Sequence, residues 1–453
     1  MTIAILGGGI SGLTLAWQLQ KAGIAYDLFE AEATPGGSLG SVRHQDGYLL
    51  EIGPNSLQLS DELLELITEL GLTNEIQDAA EVSKHRYVLR NGRYQQLPSS
   101  PPALLANGFF SWKAKFSILR ELNRPAAPLD PNETVDAFFR RRFGPEIVNY
   151  AVNPFISGIY AGDPAQLLVH KTFSKVAALE QQYGSVLRGL AKTGSTAGRR
   201  RIITLRNGIQ HLTDTLAARL THRHPSQRVL ALHRTADGRY QIQTSAGIGG
   251  FAYDAVVLSV PAFAAAPLLQ PHFPEAAAAL AAVQYPPMAA VYTAYRREDV
   301  GHPLNGFGAL NPKVERPYAA GSIWTSSIYP NRVPAGQVLF TTFVGGSQYE
   351  EHALQPEATQ KAAVHEELSR FYAIKAAQPL WQHRYLWKKA IPQYDQHIVA
   401  AHATTDALQA HGIWSVANWR GGVGVPDCIR HARTIAEQLI AVSKQPKQPL
   451  PSA

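Results

Sequence analysis

The sequence predicts an α/β plus α+β fold: a parallel-sheet α/β domain, a mixed-sheet second domain and an inserted helical domain. Three observations predict it. An apolar strand runs into a glycine-rich turn and a helix at the start of the chain, and a mostly apolar run, Asp254 to Pro261, lies beyond a proline-punctuated helical stretch. Residues 285 to 345 then hold several strand-like segments rich in Tyr, Val, Phe and Thr. At 453 residues the chain exceeds the roughly 100 to 200 residues of one domain, so two or three domains are expected.

In chain order, Ile3 to Leu6 reads as a strand, about Ser11 to Ala22 as a helix and Tyr26 to Glu30 as a second strand, the βαβ opening of a parallel sheet. Ser60 as N-cap, the apolar face Leu63, Leu64, Ile67 and Leu70, and Gly71 as terminator predict a further helix. From about Lys84 to Gly198 the pattern is mostly helical, with Asn132-Glu133-Thr134 leading into Val135, Phe138, Phe139 and Phe143. Sheet character returns at Ile202 to Leu205, Val229 to Leu232 and Tyr240 to Thr244, and the run to Pro261 reads as a buried central strand. Ile413 to Ala417 is the last strand, before a helix from about Pro426 to Leu439; the residues after Ser443 read as a disordered tail. His365-Glu366-Glu367 reads as the exposed face of a helix.

Composition narrows the function classes. Cys428 is the single cysteine, so no internal disulfide can form and the usage suits a reducing compartment. No signal-peptide pattern precedes the first strand. No run of eighteen strongly apolar residues is present, and Ala255 to Leu269 is interrupted by Pro261 and Pro267, so no transmembrane helix is expected. A cytoplasmic protein is expected, soluble or attached peripherally to the inner face of the membrane; the net charge of +7 suits an anionic membrane surface, nucleic acid or an acidic substrate, and charge alone does not choose among them. The densest basic run, Arg199-Arg200-Arg201, lacks neighbouring aromatics to stack on bases, which argues against nucleic acid.

Gly7-Gly8-Gly9-Ile10-Ser11-Gly12 is a G-x-G-x-x-G between strand and helix. Its missing side chains let backbone turn tightly and approach a pyrophosphate, and the helix N-terminus supplies amide donors. Glu30 ends the second strand eighteen residues past Gly12, where an acid can hold a ribose hydroxyl. The domain is therefore Rossmann-like and binds a dinucleotide. Pro35-Gly36-Gly37 so soon after that acid favours FAD over NAD, because an extended cofactor needs a second close backbone approach. Gly53-Pro54-Asn55-Ser56 adds a turn after a strand, and Gly421-Gly422-Val423-Gly424-Val425 another before the last helix, whose N-terminus would face the flavin. No G-x-S-x-G, H-E-x-x-H or C-x-x-C pattern occurs, so hydrolase and metal readings lack their minimum parts and no metal is expected.

Gly36-Gly37 through Asp46-Gly47-Tyr48 and Glu51-Ile52-Gly53-Pro54-Asn55-Ser56 resemble the amine-oxidase-related flavoprotein superfamily. The Gly-Pro-Asn-Ser form is similar to its oxygen-dependent protoporphyrinogen oxidase branch. Further segments resemble that branch: Lys84-His85-Arg86-Tyr87 with Arg90-Asn91-Gly92, Pro154 through Pro164, Asn305 through Leu310, Phe340 through Gly346, Trp387, and Ile391 through Tyr394. The likeness spans roughly residues 1 to 440. Three places depart from the branch: Ser38 for a larger or basic residue, Asn207-Gly208 for Gly-Gly, and Ala417-Asn418-Trp419-Arg420. The first and third adjoin the expected flavin site.

The resemblance implies a discontinuous FAD-binding domain (1–80, 202–262 and 408–445), a substrate-binding domain (81–100 and 263–407), a helical domain that associates with membrane in some members (101–201) and a tail (446–453). It places cofactor contacts on Gly7, Gly8, Gly9, Ile10, Ser11, Gly12, Glu30, Ala31, Gly37, Ser38, Gly53, Pro54, Asn55, Ser56, Val229, Trp387, Val423, Gly424 and Val425. Substrate would lie near Arg86, Gly158, Phe307, Leu310, Trp324 and Tyr329. The implied activity is oxidation of protoporphyrinogen IX to protoporphyrin IX by FAD, with oxygen as acceptor and hydrogen peroxide as product. A porphyrinogen is broad and apolar with propionates at one edge, so Arg86 suits its carboxylates; no side chain reads as a general base. Coproporphyrinogen III as substrate, an amine oxidase or carotenoid desaturase on the same fold, a non-catalytic tetrapyrrole carrier and self-association as a homodimer all stay open.

Overall fold

The computed structural model describes residues 1–98, 100–194 and 201–444; the expected tail 446–453 and the Arg199 and Arg200 of the basic run lie outside them. Arg201 pairs with Asp78 at 2.9 Å.

The first sheet has five strands in the order Arg223–His224, Ala25–Phe29, Thr2–Leu6, Ala255–Leu258 and Ile413–Ser415. All pairings are parallel, with Ile3 opposite Ala255 and Leu6 opposite Leu258. Strand alternation explains why its central strands are apolar throughout. Ile3, Ile5, Ala255 and Val257 enter one core, which holds residues of the helices Ile10–Lys21 and Val425–Ser443. Ala4, Leu6, Val256 and Leu258 enter the other, with the helices Ala262–Leu269 and Pro274–Ala281. Within the Asp254 to Pro261 run, Ala255–Leu258 is thus a central strand buried on both faces.

The second sheet has seven strands, in the order Trp381–Trp387, Met288–Arg296, Gln337–Gly345, Gly321–Trp324, Gly308–Leu310, Tyr87–Arg90 and Arg93–Gln96. It is mixed, because Gly308–Leu310 runs parallel to Tyr87–Arg90 while the other pairs are antiparallel. Helices Trp112–Arg120, Val135–Phe143, Asn153–Tyr160, Ser174–Tyr183 and Val186–Thr193 make up most of the helical region. There Arg142 is fully buried and paired with Glu121 and Glu180, and Ser185 donates to Glu121 at 2.6 Å.

The strands expected at Val229 and Tyr240 are present, as Val229–Arg234 and Tyr240–Thr244, in an antiparallel sheet of their own with Gly247–Tyr253. Three expectations need correction. Helical character begins at Pro101, since Tyr87–Arg90 and Arg93–Gln96 complete the mixed sheet. Glu367 is buried and accepts the backbone N–H groups of Tyr318 at 2.6 Å and Ala319 at 3.0 Å. Burial pushes its carboxyl up from the usual range. The last helix extends past Leu439 to Ser443.

Candidate active site

Two glycine turns leave the carboxyl ends of parallel strands. Gly7 to Gly12 follows Thr2–Leu6, Gly421 to Gly424 follows Ile413–Ser415, and Ala255–Leu258 lies between the two strands. The crevice outside such strand ends is where open α/β sheets bind ligands. Gly7 sits at φ +109°, which favours glycine, and its N–H donates to Phe29 O at 2.8 Å. A Cβ on Gly12 would run into the Gly7 carbonyl oxygen and lie 2.8 Å from Ser259 Oγ. At Gly9 a Cβ would meet nothing nearer than Gly37 Cα, 3.9 Å away. Gly12 therefore serves the packing of the turn, whereas the space beside Gly9 is open.

Glu30 accepts the Gly8 N–H at 2.6 Å and the Glu32 N–H at 2.8 Å. The Gly36 N–H donates to Gly8 O at 2.9 Å, so Gly36, Gly37 and Ser38 lie against the first turn. Gly53 packs on Ser38, whose carbonyl oxygen a Cβ there would strike. Gln227 N–H donates to Glu30 O at 2.8 Å, which brings the start of the Val229–Arg234 strand beside Glu30 and Ala31. Trp387 stands opposite Met288 in the mixed sheet and packs on the cluster holding Tyr48, Leu50 and Ile52. Val425 is buried, while Val423 and Gly424 stay partly open at the uncapped N-terminus of Val425–Ser443, where backbone donors lack partners within the helix. Among the buried polar atoms that find no partner in the described residues, Asn55 Nδ2 lies in the Gly53 to Ser56 turn and Ser259 Oγ beside Gly12. A buried donor left unmatched costs roughly 1–3 kcal/mol, so these atoms, with the open cradle at Gly9, fit a polar cofactor.

On the other side, the Arg86 guanidinium stacks on Phe307, 4.1 Å from the ring centre, and Phe307 N–H donates to His85 O at 2.9 Å. The guanidinium donates to Ser83 O, and no carboxylate pairs with it among the described residues. Burial lowers its pKa from the usual value, yet an arginine this basic stays charged. A Cβ on the exposed Gly158 would meet Leu310 Cδ2 at 3.0 Å. Phe307 and Leu310, three residues apart, thus join Arg86 to Gly158 along the Gly308–Leu310 strand of the mixed sheet.

Trp324 and Tyr329 do not share this wall. Trp324 is 0 % exposed, with its ring against Tyr87 and His302 and its indole N–H donated to Tyr372 at 3.0 Å. Tyr329 is 1 % exposed. Neither presents surface to a ligand. Sequence reasoning missed the buried Arg332–Glu51 ion pair at 2.6 Å, in which Arg332 also donates to Thr204 Oγ1 at 2.6 Å. The signal was there: Glu51 is a charged residue inside the apolar strand Leu49–Ile52.

A model of the flavin containing amine oxidoreductase family matches residues 10–440, and the chain belongs to that family. It is accordingly an FAD-dependent oxidoreductase. Within the family, the chain is 32% identical over 468 residues to the chloroplastic protoporphyrinogen oxidase of Oryza sativa subsp. japonica, covering 96% of this chain and 87% of that one. It is 30% identical over 480 residues to protoporphyrinogen oxidase of Homo sapiens, covering 97% and 98%. Among solved structures, a protein from Exiguobacterium sp. 255-15 superposes with a TM-score of 0.82 at 22% identity, covering 97% and 99%. Reduced UDP-galactopyranose mutase superposes at 0.75 with 15% identity, covering 98% and 96%, a likeness of fold alone.

Proposed function

We propose that the chain oxidises protoporphyrinogen to protoporphyrin with FAD, oxygen taking the electrons and leaving as hydrogen peroxide. The observation that carries this reading is the unpaired Arg86 guanidinium on Phe307, set beside the Gly158–Leu310 contact. An amine substrate would be repelled by that cation, whereas a propionate is held by it. The near-full-length relatives in rice and humans bear the matching name.

In this reading the Gly7 to Gly12 turn and the following helix hold the pyrophosphate, with Gly37 and Ser38 across it, and Glu30 with Ala31 and Val229 holds a ribose. Gly53 to Ser56, Trp387 and Val423 to Val425 hold the flavin end. Bound FAD supplies the two-electron acceptor, used repeatedly until six electrons have left the macrocycle. The chain's own part would be to fix the macrocycle by a propionate and to hold it beside that acceptor. Coproporphyrinogen carries two further propionates in place of vinyl groups. Each porphyrinogen should be supplied in air while oxygen uptake and porphyrin fluorescence are followed. Faster turnover of protoporphyrinogen supports the proposal, faster turnover of coproporphyrinogen transfers it to that substrate, and binding without oxygen uptake makes the protein a carrier.

We also propose peripheral attachment to an anionic lipid surface. Among the described residues no helix is long and apolar enough to cross a membrane. Helix Trp112–Arg120 nevertheless exposes Trp112, Phe116 and Leu119 at 78%, 61% and 53%, an i, i+4, i+7 stripe flanked by the exposed Lys113 and Arg120. Flotation with anionic vesicles should carry the protein, and Trp112→Ser with Phe116→Ser should abolish it. Equal flotation of the double variant would remove this surface from consideration.

A further inference from the structure

Helix Asn153–Tyr160 connects two parts of the site. Near its end Gly158 meets Leu310, and one turn-end later Tyr160 packs both on the helical core and on the core under the parallel sheet. The backbone that follows is held unusually firmly. Three consecutive carbonyl oxygens accept hydrogen bonds from residues far away in the chain: Tyr160 O from Gln393 Nε2 at 2.9 Å, Ala161 O from Ser347 N–H at 2.7 Å, and Gly162 O from Gln348 Nε2 at 2.9 Å.

Ala161 itself is in the left-handed region at φ +52°, a conformation a non-glycine residue adopts at a cost. Such a residue persists when its surroundings over-determine it, and such sites cluster where function needs a placed group. Here the clamp is complete: Gly346 allows no Cβ against Ala161 O, and Gly162 none against Gln393 Oε1. The group placed is the Tyr160 side chain. Its ring stands edge-on to Tyr394, 6.2 Å between centres. The Tyr394 hydroxyl is satisfied by Asn418 O at 2.7 Å, just before the Gly421 to Gly424 turn. The Tyr160 hydroxyl, in contrast, is given no hydrogen-bond partner by any described residue, and it lies within electrostatic reach of Asp427 in the first turn of the last helix. A clamped, strained backbone thus delivers an unengaged phenol to the space beside the C-terminal glycine turn.

We propose that Tyr160 is a cofactor-contacting residue whose hydroxyl donates a hydrogen bond to the flavin end of bound FAD, a step that rests on the flavin reading of the C-terminal turn. Burial, and then the charge of Asp427, push its pKa up to about 12, so the phenol keeps its proton and acts as a donor. The aromatic ring would in addition close the flavin end on the side of the helical region, coupling that region to the cofactor.

The test is Tyr160→Phe, which keeps the ring and removes only the oxygen. Because that oxygen has no protein partner, the thermal midpoint of the variant freed of FAD should equal that of the wild type. The FAD dissociation constant should rise about 2- to 12-fold, the effect of one neutral hydrogen bond, and the visible flavin absorption bands of the reconstituted protein should shift. An unchanged dissociation constant with unchanged bands overturns the proposal. So does an effect confined to the porphyrinogen KM, which would assign the hydroxyl to substrate, and so does a lowered midpoint with normal flavin binding, which would make it structural. Wild-type protein that binds no flavin defeats the underlying reading, a result distinct from any difference between the two proteins.

Discussion

Glu30 accepts the Gly8 N–H through one carboxylate oxygen and the Glu32 N–H through the other. The acid that ends the second strand therefore fixes the first glycine turn, and its remaining lone pairs stay free to accept the ribose hydroxyls proposed to lie there. Removing it should cost more than a ribose contact. Hydrogen bonds to a charged group are worth about 1.5–3 kcal/mol, so Glu30→Ala should weaken FAD binding by roughly 10- to 150-fold. Glu30→Gln, whose amide oxygen can still accept from Gly8, should lose less. Titration of the FAD-free proteins with FAD measures both, and equal affinities for wild type and Glu30→Ala would take Glu30 out of the site.

The glycines of the first turn should separate into two kinds. At Gly9 an added side chain meets open space, and at Gly12 it meets the Gly7 carbonyl and Ser259. Gly9→Val should leave the FAD-free protein as stable as the wild type and yet abolish FAD retention, because the branched side chain occupies the pyrophosphate approach. Gly12→Ala should lose FAD and also stability, by the roughly 1–3 kcal/mol typical of forced overpacking. Flavin content with denaturant unfolding of both proteins checks the contrast. Full flavin occupancy in Gly9→Val would contradict the assignment.

The parallel sheet and its first turn were legible because local pattern and tertiary environment agree there: a strand buried on both faces must read as an apolar run, and Ala255–Leu258 does. The wall of the substrate side was less legible. Arg86, Phe307, Leu310 and Gly158 meet only through long-range pairing, of Gly308–Leu310 with Tyr87–Arg90 and of a distant helix with Leu310. Trp324 reads like a pocket aromatic, and only its buried hydrogen bond to Tyr372 reveals it as core. Arg332 pairs with Glu51 across 281 positions, and no spacing rule announces such a pair. Ala161 escaped notice for the opposite reason: alanine carries no turn signal, and its left-handed conformation is imposed by Gln393, Ser347 and Gln348.

Acid should destabilise the fold in a definite window. His302, His402 and His431 are each held down to about 4, chiefly by burial, against about 6.5 in an unfolded chain. The folded state thus favours the neutral ring. As pH falls from 6.5 toward 4 the unfolded chain binds protons that the folded one does not, and stability is lost by up to about 1.4 kcal/mol per pH unit for each histidine. Above about 6.5 their contribution is fully present. His402 holds Trp419 O at 2.6 Å through Nε2, a contact that a glutamine amide can imitate. Thermal midpoints measured from pH 7 to pH 4 should fall less steeply for His402→Gln than for the wild type. Parallel curves would show that His402 is not held neutral.

The last prediction concerns Arg86, which is expected to anchor a propionate and take no part in bond breaking. Its stacking on Phe307 at 4.1 Å and its bond to Ser83 O orient the guanidinium, and stacking leaves the in-plane N–H fork available to a carboxylate. Loss of a charge-assisted bond of about 1.5–3 kcal/mol corresponds to a roughly 10- to 150-fold weaker complex. A propionate lies away from the reacting carbon, so the bond is equally strong in ground and transition states. Arg86→Ala should then raise KM by that factor with kcat little changed, and FAD content should stay normal. Arg86→Lys should recover part of the loss, since an ammonium restores the charge without the two-pronged geometry. Steady-state kinetics with protoporphyrinogen on both variants decide the matter. An unchanged KM would remove Arg86 from the substrate wall, and a collapse of kcat alone would make it part of the chemistry.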